Sequence, residues 1–262
     1  MPAAIHTAGL TRTFRTKNGT VEAVRGIDLT VPQGEIIGFL GPNGAGKTTT
    51  LRMLTTLLTP TAGKATVAGR DLITDPGGVR ERIGYVAQSG GTDPAVSVRE
   101  ELTTQGRLYR LGKTEAARRT EELAGELNLT GLLDRPCGAL SGGQRRRLDI
   151  AMALTHAPGL LFLDEPTTGL DPASRAGLWQ LVRRLREKHG TTVFLTTHYL
   201  DEADALADRL VIVDGGRIVA QGTPAELKQL HGGSPDATLQ DTFIALTGRR
   251  AGRETENAPV AV

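Results

Sequence analysis

The sequence predicts an α/β fold with a mainly parallel core sheet, an antiparallel β segment before it and a helical insert within it. Short apolar runs of strand length alternate with helical stretches over most of the chain. A glycine-rich turn at 41–48 joins one of these runs directly to a helix. From about residue 90 to 150, helical patterns appear without a convincing strand. We expect one domain over residues 3–247 and a flexible tail over 248–262, which is polar and rich in Ala and Gly.

Composition limits the classes of protein to consider. The 262 residues are 39% hydrophobic and 23% charged, with a formal charge of only +2, so no general nucleic-acid footprint is visible. The one cysteine, Cys137, excludes an internal disulfide and suits a reducing compartment. No apolar run approaches the roughly 20 residues that span a bilayer, and the first residues lack a signal-peptide pattern. We therefore expect the chain to act at a membrane only through a partner.

The part of the chain before the insert is predicted to contain short strands. One covers 21–31 and stops at Pro32-Gln33-Gly34, a turn signal. A buried strand at 36–40 leads into a helix that ends near Leu58. Further short strands are expected at 66–68 and 83–86.

Capping signals mark two helix starts in the rest of the chain. Ser97 and Glu100 have the spacing of a capping box, and Thr223-Pro224 with Glu226 form another. Within the insert, 115–127 is helical by pattern. Later helices are predicted at 142–155, 172–188 and 200–206, and later strands at 160–163, 192–195, 210–213 and 218–220, the last two as a hairpin around Gly215-Gly216.

The glycine-rich turn matches the phosphate-binding pattern G-x-x-x-x-G-K-[ST]. Its glycines let backbone N–H groups curl around phosphates, and the following helix directs its positive end toward them. Lys47 would place a cation on the β/γ oxygens, and the Thr48 hydroxyl suits Mg²⁺. The alternative, an ordinary turn between a strand and a helix, does not explain the complete pattern. The predicted ATP-binding residues here are Gly41, Pro42, Asn43, Gly44, Ala45, Gly46, Lys47, Thr48 and Thr49.

An apolar strand ends in two acids, Asp164 and Glu165. The carboxyl edge of a parallel sheet is where ligands bind. Asp164 suits Mg²⁺, directly or through water, and Glu165 suits activation of an attacking water. Many buried strands end in acids, so this pattern alone favours a structural role; beside a phosphate loop, a catalytic role is the better interpretation.

A second helix start that could bind an anion is predicted at Ser141, near the end of the insert. Ser141 is a predicted N-cap, and two glycines follow it at the start of a helix. A merely well-capped helix is the plain alternative. The segment consists of Leu140, Ser141, Gly142, Gly143 and Gln144.

These motifs, in this order, resemble the nucleotide-binding subunit of an ABC transporter, a P-loop NTPase domain. The Walker A loop is followed by Gln88 near a strand end, by LSGGQ, by the Walker B strand, by Asp171 in Gly169-Leu170-Asp171, and by His198. The resemblance covers about residues 3 to 247. In that family two subunits pair head to tail, and each ATP lies between Walker A of one and LSGGQ of the other.

The resemblance implies further roles. Gln88 would sense Mg²⁺ and the γ-phosphate and link them to a membrane partner, and Asp171 would lie in the loop that crosses the dimer contact. His198 would contact the γ-phosphate and position the catalytic water beside Glu165. Phe14 matches the aromatic that stacks on adenine, where the family more often has Tyr. Taken alone, each of these residues has a plain structural alternative.

The subfamily is indicated by LDEPTTGLDPASR, by TTHYLDEADALADRLVIVDGGRIVAQGTP and by the late ATLQDTFIALTG. Together they are similar to the daunorubicin/doxorubicin-resistance ATPases, which pair with a separate permease and export drugs or other hydrophobic compounds. Two further features need an interpretation. One or more of Arg145, Arg146 and Arg147 would face nucleotide phosphates or a neighbouring subunit, or the three would form a solvated basic face. Trp179 is predicted as core rather than as a contact residue.

We therefore predict an ATPase that uses ATP and Mg²⁺, with Lys47, Glu165 and His198 as catalytic residues. It would form a head-to-tail homodimer, bind a permease encoded as a separate chain and lie on the cytoplasmic face of the cell membrane, with no nucleic acid as partner. A soluble ABC ATPase acting on DNA or ribosomes is the alternative. Such proteins usually carry two ATPase halves in one chain, or a long coiled-coil or zinc insert, whereas this sequence has one Walker A, one LSGGQ, one cysteine and no sustained heptads. A nucleotide-gated structural protein without turnover is disfavoured by Glu165 and His198.

Overall fold

The computed structural model describes residues 3–17, 19–234 and 236–256, which form two sheets and surrounding helices. In these residues the strands are β1 Ala3–Thr16, β2 Gly19–Pro32, β3 Ile36–Leu40, β4 Ala62–Val67, β5 Arg70–Asp71, β6 Ile83–Val86, β7 Leu160–Asp164, β8 Thr192–Thr197, β9 Arg209–Asp214 and β10 Arg217–Gly222. The α-helices are α1 Lys47–Leu54, α2 Pro76–Arg80, α3 Val98–Leu108, α4 Lys113–Glu126, α5 Gly142–Ala153, α6 Pro172–His189, α7 Leu200–Leu206, α8 Pro224–His231 and α9 Leu239–Glu256. Short 3₁₀ turns cover Thr130–Leu132 and Cys137–Ala139. None of the described helices is both long and apolar enough to cross a bilayer.

The N-terminal sheet is antiparallel, as predicted, with the order β2-β1-β4-β5. The predicted strand at 21–31 is the inner part of β2, which pairs along its whole length with β1. The prediction that a strand covers 66–68 is wrong at its last residue. Ala68 has φ +50°, a turn conformation, and begins the connection to β5.

The core sheet has the order β10-β9-β3-β8-β7-β6, and all its neighbouring strands are parallel except the β9–β10 hairpin. All five residues of β3 and all five of β7 are buried, as expected for parallel strands covered on both faces. Phe39, Phe162 and Phe194 meet across neighbouring strands, with ring centroids 5.3 and 5.5 Å apart. Burial of each ring contributes about 1.5–3 kcal/mol, which holds the strands in register.

The strand order positions the site. The parallel strands β3, β8, β7 and β6 are neighbours, so their carboxyl ends lie side by side at one edge. Strand β3 leads into the glycine-rich loop and β8 leads to His198. Strand β7 leads to Glu165, and β6 leads into the segment that contains Gln88. Residues far apart in the chain therefore share one edge of the sheet.

The segment predicted as a helical insert contains α3, α4 and the two 3₁₀ turns, and leads into α5. Ser97 and Glu100 form the predicted capping box at the start of α3. Leu102 and Leu123 are fully buried in a cluster that continues into the core beside β7 and β8. The helices of this segment therefore share the core that lies beside β7 and β8 rather than forming a separate core.

Helix starts agree closely with the capping signals. The predicted capping box of Thr223 and Glu226, with Pro224 at the first turn, begins α8. Two predicted helix ends are wrong: α1 ends at Leu54 rather than near Leu58, and α5 ends at Ala153, two residues before the predicted end. Helix α9 runs past the predicted boundary at 248 to Glu256, whereas 257–262 lie outside the described residues. Flexibility of the last segment stays a prediction.

Candidate nucleotide-binding site

The loop between β3 and α1 contains glycines in left-handed conformations. Gly44 and Gly46 have φ +81° and +96°, which side chains rarely adopt. At Gly46 a Cβ atom would also lie 2.4 Å from the carbonyl oxygen of Ala23 on β2. Glycine is therefore required both by the backbone conformation and by the close approach of β2, and the loop directs the start of α1 toward the sheet edge.

Lys47 is the first residue of α1, and its side chain is folded back under the loop. Its Nζ donates to the carbonyl oxygens of Gly41, at 2.8 Å, and Pro42, at 3.1 Å, and lies 3.7 Å from Glu165 Oε1. Burial lowers the pKa of Lys47, and the nearby carboxylates of Glu165 and Asp164 partly offset this. The ammonium is held by weak backbone acceptors beside an acid, so it is available to bind an anion.

Glu165 lies at the centre of the sequence-predicted catalytic residues. Its side chain is 10% exposed, and His198 Nδ1 lies 3.2 Å from Oε1 without hydrogen-bond geometry. The amide of Gln88 donates to Oε2 at 3.1 Å, and the Thr168 hydroxyl donates to it at 3.4 Å. The fold thus brings Lys47, Gln88 and His198 to one carboxylate.

Glu165 also has a backbone conformation that is costly for a residue with a side chain. Its φ is +45°, and its N–H donates to the carbonyl and hydroxyl oxygens of Thr196, both at 3.1 Å. Strain of this kind costs about 1–3 kcal/mol and persists only where neighbours hold it. It turns the carboxylate away from the strand and toward the phosphate loop.

Asp164 is the buried neighbour of Glu165. Its Oδ1 accepts from the Thr196 hydroxyl at 2.6 Å and from the Thr48 hydroxyl at 3.4 Å. The Thr48 hydroxyl, the Asp164 carboxylate and the Gln88 amide oxygen are hard oxygen donors, the type that Mg²⁺ prefers. The donor set at this edge fits that cation.

Two residues of this edge were missed or misassigned from the sequence. Thr196 supports both acids, but nothing in the sequence separates it from other strand threonines. The sequence predicted for Arg145, Arg146 and Arg147 together that one or more would contact phosphates or a neighbouring subunit, or that they would form a solvated face, and neither interpretation describes Arg146. It is 6% exposed and donates to the carbonyl oxygens of Pro166 at 2.9 Å, Asp164 at 3.0 Å and Ala87 at 2.5 Å. It ties the start of α5 to β7 and to the segment before Gln88.

The LSGGQ segment begins α5, as predicted. The Ser141 hydroxyl accepts from the Gln144 N–H at 3.3 Å, and the Gln144 side chain accepts from the Ser141 N–H at 2.9 Å. A Cβ atom on Gly143 would lie 2.8 Å from the Ser174 hydroxyl of α6, so this glycine permits close helix packing. Ser141 and Gly142 are exposed, while Leu140 is buried. The segment presents a capped helix start to the outside of this chain.

Asp171 and Phe14 occupy positions outside the Glu165 cluster. Asp171 is exposed and caps α6, accepting from the N–H of Ser174 at 2.9 Å and its hydroxyl at 2.6 Å. These hydrogen bonds hold the pKa of Asp171 below its usual value. Phe14 is half-buried on β1, with the Arg12 guanidinium carbon 4.7 Å from its ring centroid. Both residues therefore have a local structural role, whatever else they bind.

A groove of about 370 Å³ lies beside this edge, between the core sheet and the helical insert. It is lined by Ala87 and Ser89, which flank Gln88, by Tyr109 after α3 and by Asp149 of α5. Its wall is more apolar than polar, and Asp149 supplies a carboxylate in it. Because Gln88 donates to Glu165, the residues next to Gln88 connect the groove to the sheet edge where Glu165 lies.

The stability of the chain should fall as pH rises from about 4 to 6 because of Asp149. Burial raises the pKa of this carboxyl to about 6, against the opposing charges of Arg146 and Arg145, while Glu101 adds to the rise. The folded state therefore holds a proton that the unfolded state has already released. At about 1.4 kcal/mol for each pH unit, the loss is at most about 3 kcal/mol.

Asp149→Asn should remove this dependence and be the more stable protein at pH 7–8. Free energies of unfolding at several pH values would measure the effect, with the exposed Glu81→Gln as the control. An equal pH slope in wild type and Asp149→Asn would show that the carboxyl keeps its ordinary pKa.

The chain resembles proteins of known class over most of its length. The family model described as "ABC transporter" matches residues 24–168. The daunorubicin/doxorubicin resistance ATP-binding protein DrrA of Streptomyces peucetius is 50% identical over 229 residues, 87% of this chain and 68% of that protein. The Nod factor export ATP-binding protein I of Burkholderia lata is 39% identical over 243 residues, 89% of this chain and 79% of that protein.

A solved structure shares the fold. The dimeric structure of MJ0796, a bacterial ABC transporter cassette, is 25% identical and superposes with a TM-score of 0.76. The match covers 84% of this chain and 98% of that cassette. The predicted fold class, an ABC-type α/β domain, is confirmed.

Proposed function

Because the chain belongs to the ABC transporter family, in which an ATPase domain couples ATP hydrolysis to transport, we propose that it is the motor of a membrane exporter. The cargo would be drugs or other hydrophobic compounds, and the path for it would lie in a separate integral-membrane permease. One observation carries the ATPase part: Glu165 lies 3.7 Å from Lys47 and 3.2 Å from His198, at the ends of neighbouring parallel strands. The 50% identity to a drug-resistance ATP-binding protein supports the choice of cargo.

The residues of the loop at 41–49 would bind the phosphates of ATP. Backbone N–H groups at the start of α1 face the anion, and the helix dipole favours negative charge there. Lys47 would exchange its neutral carbonyl acceptors for phosphate oxygens, so that both the donor and the acceptor of each bond carry charge. Phe14 would stack on adenine with the ring face that Arg12 leaves open.

Thr48, Asp164 and Gln88 would hold Mg²⁺. Such a cation neutralises charge on the β- and γ-phosphate oxygens when it is bound. The Thr196 hydroxyl, 2.6 Å from Asp164 Oδ1, fixes this carboxylate in one orientation. The aspartate therefore needs little reorganisation to act as a ligand.

Glu165 would act as the general base of hydrolysis. Its carboxylate takes a proton from water as the water oxygen attacks the γ-phosphorus, and ADP leaves with the electrons of the broken P–O bond. His198 would orient the water and contact the γ-phosphate. Lys47, at 3.7 Å from the same carboxylate, stabilises negative charge that moves onto the phosphoryl oxygens.

The second subunit would complete each site. Ser141 and Gly142 are exposed at the start of α5, so this helix start is open to a group from outside the chain. A head-to-tail homodimer would place this start of α5 on the ATP of the partner, with Asp171 in the loop between them. The dimeric form of the MJ0796 cassette supports this arrangement.

The permease would dock in the groove next to Gln88. A segment of this polytopic membrane protein would bind in the groove of about 370 Å³. Movement there would reach Glu165 through the 3.1 Å hydrogen bond from Gln88. The chain would then lie on the cytoplasmic face of the cell membrane, where ATP is available.

Purification of tagged Glu165→Gln protein from detergent-solubilised host membranes with ATP tests the proposal. We expect a polytopic membrane protein to co-purify, and wild-type chain with that protein in inside-out vesicles to accumulate an anthracycline only when ATP is hydrolysed. The same purification without ATP is the control. Recovery with ribosomes or nucleic acid instead would favour a soluble ABC ATPase, and vesicles that accumulate no drug would contradict the cargo.

A further inference from the structure

A buried acid and an indole connect the two helices that follow the catalytic strands. Glu202, in the first turn of α7, is fully buried. The Trp179 Nε1–H of α6 donates to its Oε1 at 3.2 Å. Trp179 is the single tryptophan of the chain, and it also packs on the main core cluster. Trp179 is half-buried, so the sequence prediction of a core residue holds for its packing but omits the polar contact.

Burial of the Glu202 carboxyl carries a desolvation cost. Burial raises the pKa of Glu202, and the hydroxyls of Thr197 and Thr167 and the Trp179 indole partly offset the rise. Neither its Oε2 nor the nearby Thr167 hydroxyl has a partner with hydrogen-bond geometry. An apolar side chain would avoid that desolvation. The acid instead faces two segments of the site, because Thr167 follows Glu165 by two residues and Thr197 precedes His198.

A second set of contacts joins the same helices one turn earlier. The guanidinium carbon of Arg175 lies 4.8 Å from the ring centroid of Tyr199, and Arg175 donates to Asp201 at 3.0 Å. The Tyr199 ring lies 4.1 Å from the ring of His198. Arg175 and Trp179 are four residues apart, so they lie on one face of α6. Asp171 caps the same helix.

We propose that Trp179 and Glu202 are positioning residues for hydrolysis, which hold His198 at Glu165 and link it to the end of α6 capped by Asp171. This inference rests on the proposed function, since it concerns the geometry of that same site. Neither side chain touches the reacting atoms. Movement of α6 at the partner subunit would change the position of α7, and with it the position of His198.

Trp179→Phe tests the link by removing the indole N–H while keeping an aromatic ring. We expect kcat for ATP hydrolysis by the purified full-length chain to fall about tenfold, because a small misplacement of a catalytic group has effects of this order. The KM for ATP should change less than about twofold, because the phosphate loop and Phe14 are untouched. Gln180→Ala, an exposed change on the same helix, should leave both constants unchanged.

Variants of the acid separate positioning from folding. Glu202→Gln keeps an oxygen acceptor for the indole and should retain near-wild-type kcat, whereas Glu202→Leu should match Trp179→Phe. The double variant Trp179→Phe/Glu202→Leu should be no slower than either single variant, because both changes break one contact. Thermal unfolding of each variant, measured in parallel, identifies any that fails to fold.

The fluorescence of Trp179 gives a readout that a purely structural role would not change. In the Glu165→Gln background, ATP should shift the emission of this single tryptophan, and Glu202→Leu should abolish the shift. Wild-type kcat in folded Trp179→Phe and Glu202→Leu, or an emission that ignores ATP, would overturn the inference. Absence of ATP hydrolysis by the wild type would instead contradict the proposed function.

Discussion

Replacing Glu165 by Gln is expected to slow ATP hydrolysis by about 10²–10⁴-fold, the usual contribution of a general base. The amide has nearly the shape of the carboxylate and can still accept from Gln88. It cannot take a proton from water near neutral pH. The loss should therefore appear in the chemical step and not in binding.

Phosphate release in a single turnover measures the chemical step, and equilibrium binding measures the affinity for ATP. We expect ATP affinity to be retained or to increase, since Lys47 no longer lies 3.7 Å from a competing carboxylate. Glu187→Gln changes an exposed acid far along α6 and serves as the control. Hydrolysis at the wild-type rate in Glu165→Gln would require another base.

The same glutamate shows which parts of the site the sequence could predict. Its type and its place at a strand end identify it, because parallel strands present their carboxyl ends to ligands. Lys47 and the loop follow from local spacing in the same way. Capping boxes such as that of Ser97 and Glu100 depend on residues three apart, so they too could be predicted.

Contacts between distant segments could not be predicted in this way. The sequence does not state that β8 lies between β3 and β7, and this order is what brings His198 to Glu165. Thr196 supports both acids only because of that order. The left-handed conformation of Glu165 likewise depends on Thr196, 31 residues later in the chain.

Arg146 illustrates how a local argument can mislead. Three consecutive arginines at a helix start suggest surface charge, because cations oppose the helix dipole there. Only one of the three has a position from which its guanidinium reaches carbonyl oxygens at the ends of β6 and β7. Tertiary contacts bury Arg146, and the local sequence pattern does not predict them.

Arg146→Ala is expected to lower the free energy of unfolding by about 3–5 kcal/mol. The guanidinium donates to three carbonyl oxygens, at 2.5–3.0 Å, and lies 3.8 Å from the carboxylate of Asp149. Its loss leaves these acceptors buried without a donor. Arg146→Lys should recover only part of the loss, because one ammonium cannot reach three acceptors in the geometry of a planar fork.

Denaturant unfolding of the full-length chain measures this effect, and Arg145→Ala is the matched control. Arg145 is exposed, and its contacts with the carbonyl oxygens of Cys137 and Gly138 are long, at 3.4 Å, so its loss should cost less than about 0.5 kcal/mol. Equal stability losses in the two variants would show that Arg146 contributes no more than a surface charge. A loss confined to Arg146→Ala would instead mean that this side chain helps to hold the start of α5 to the end of β7.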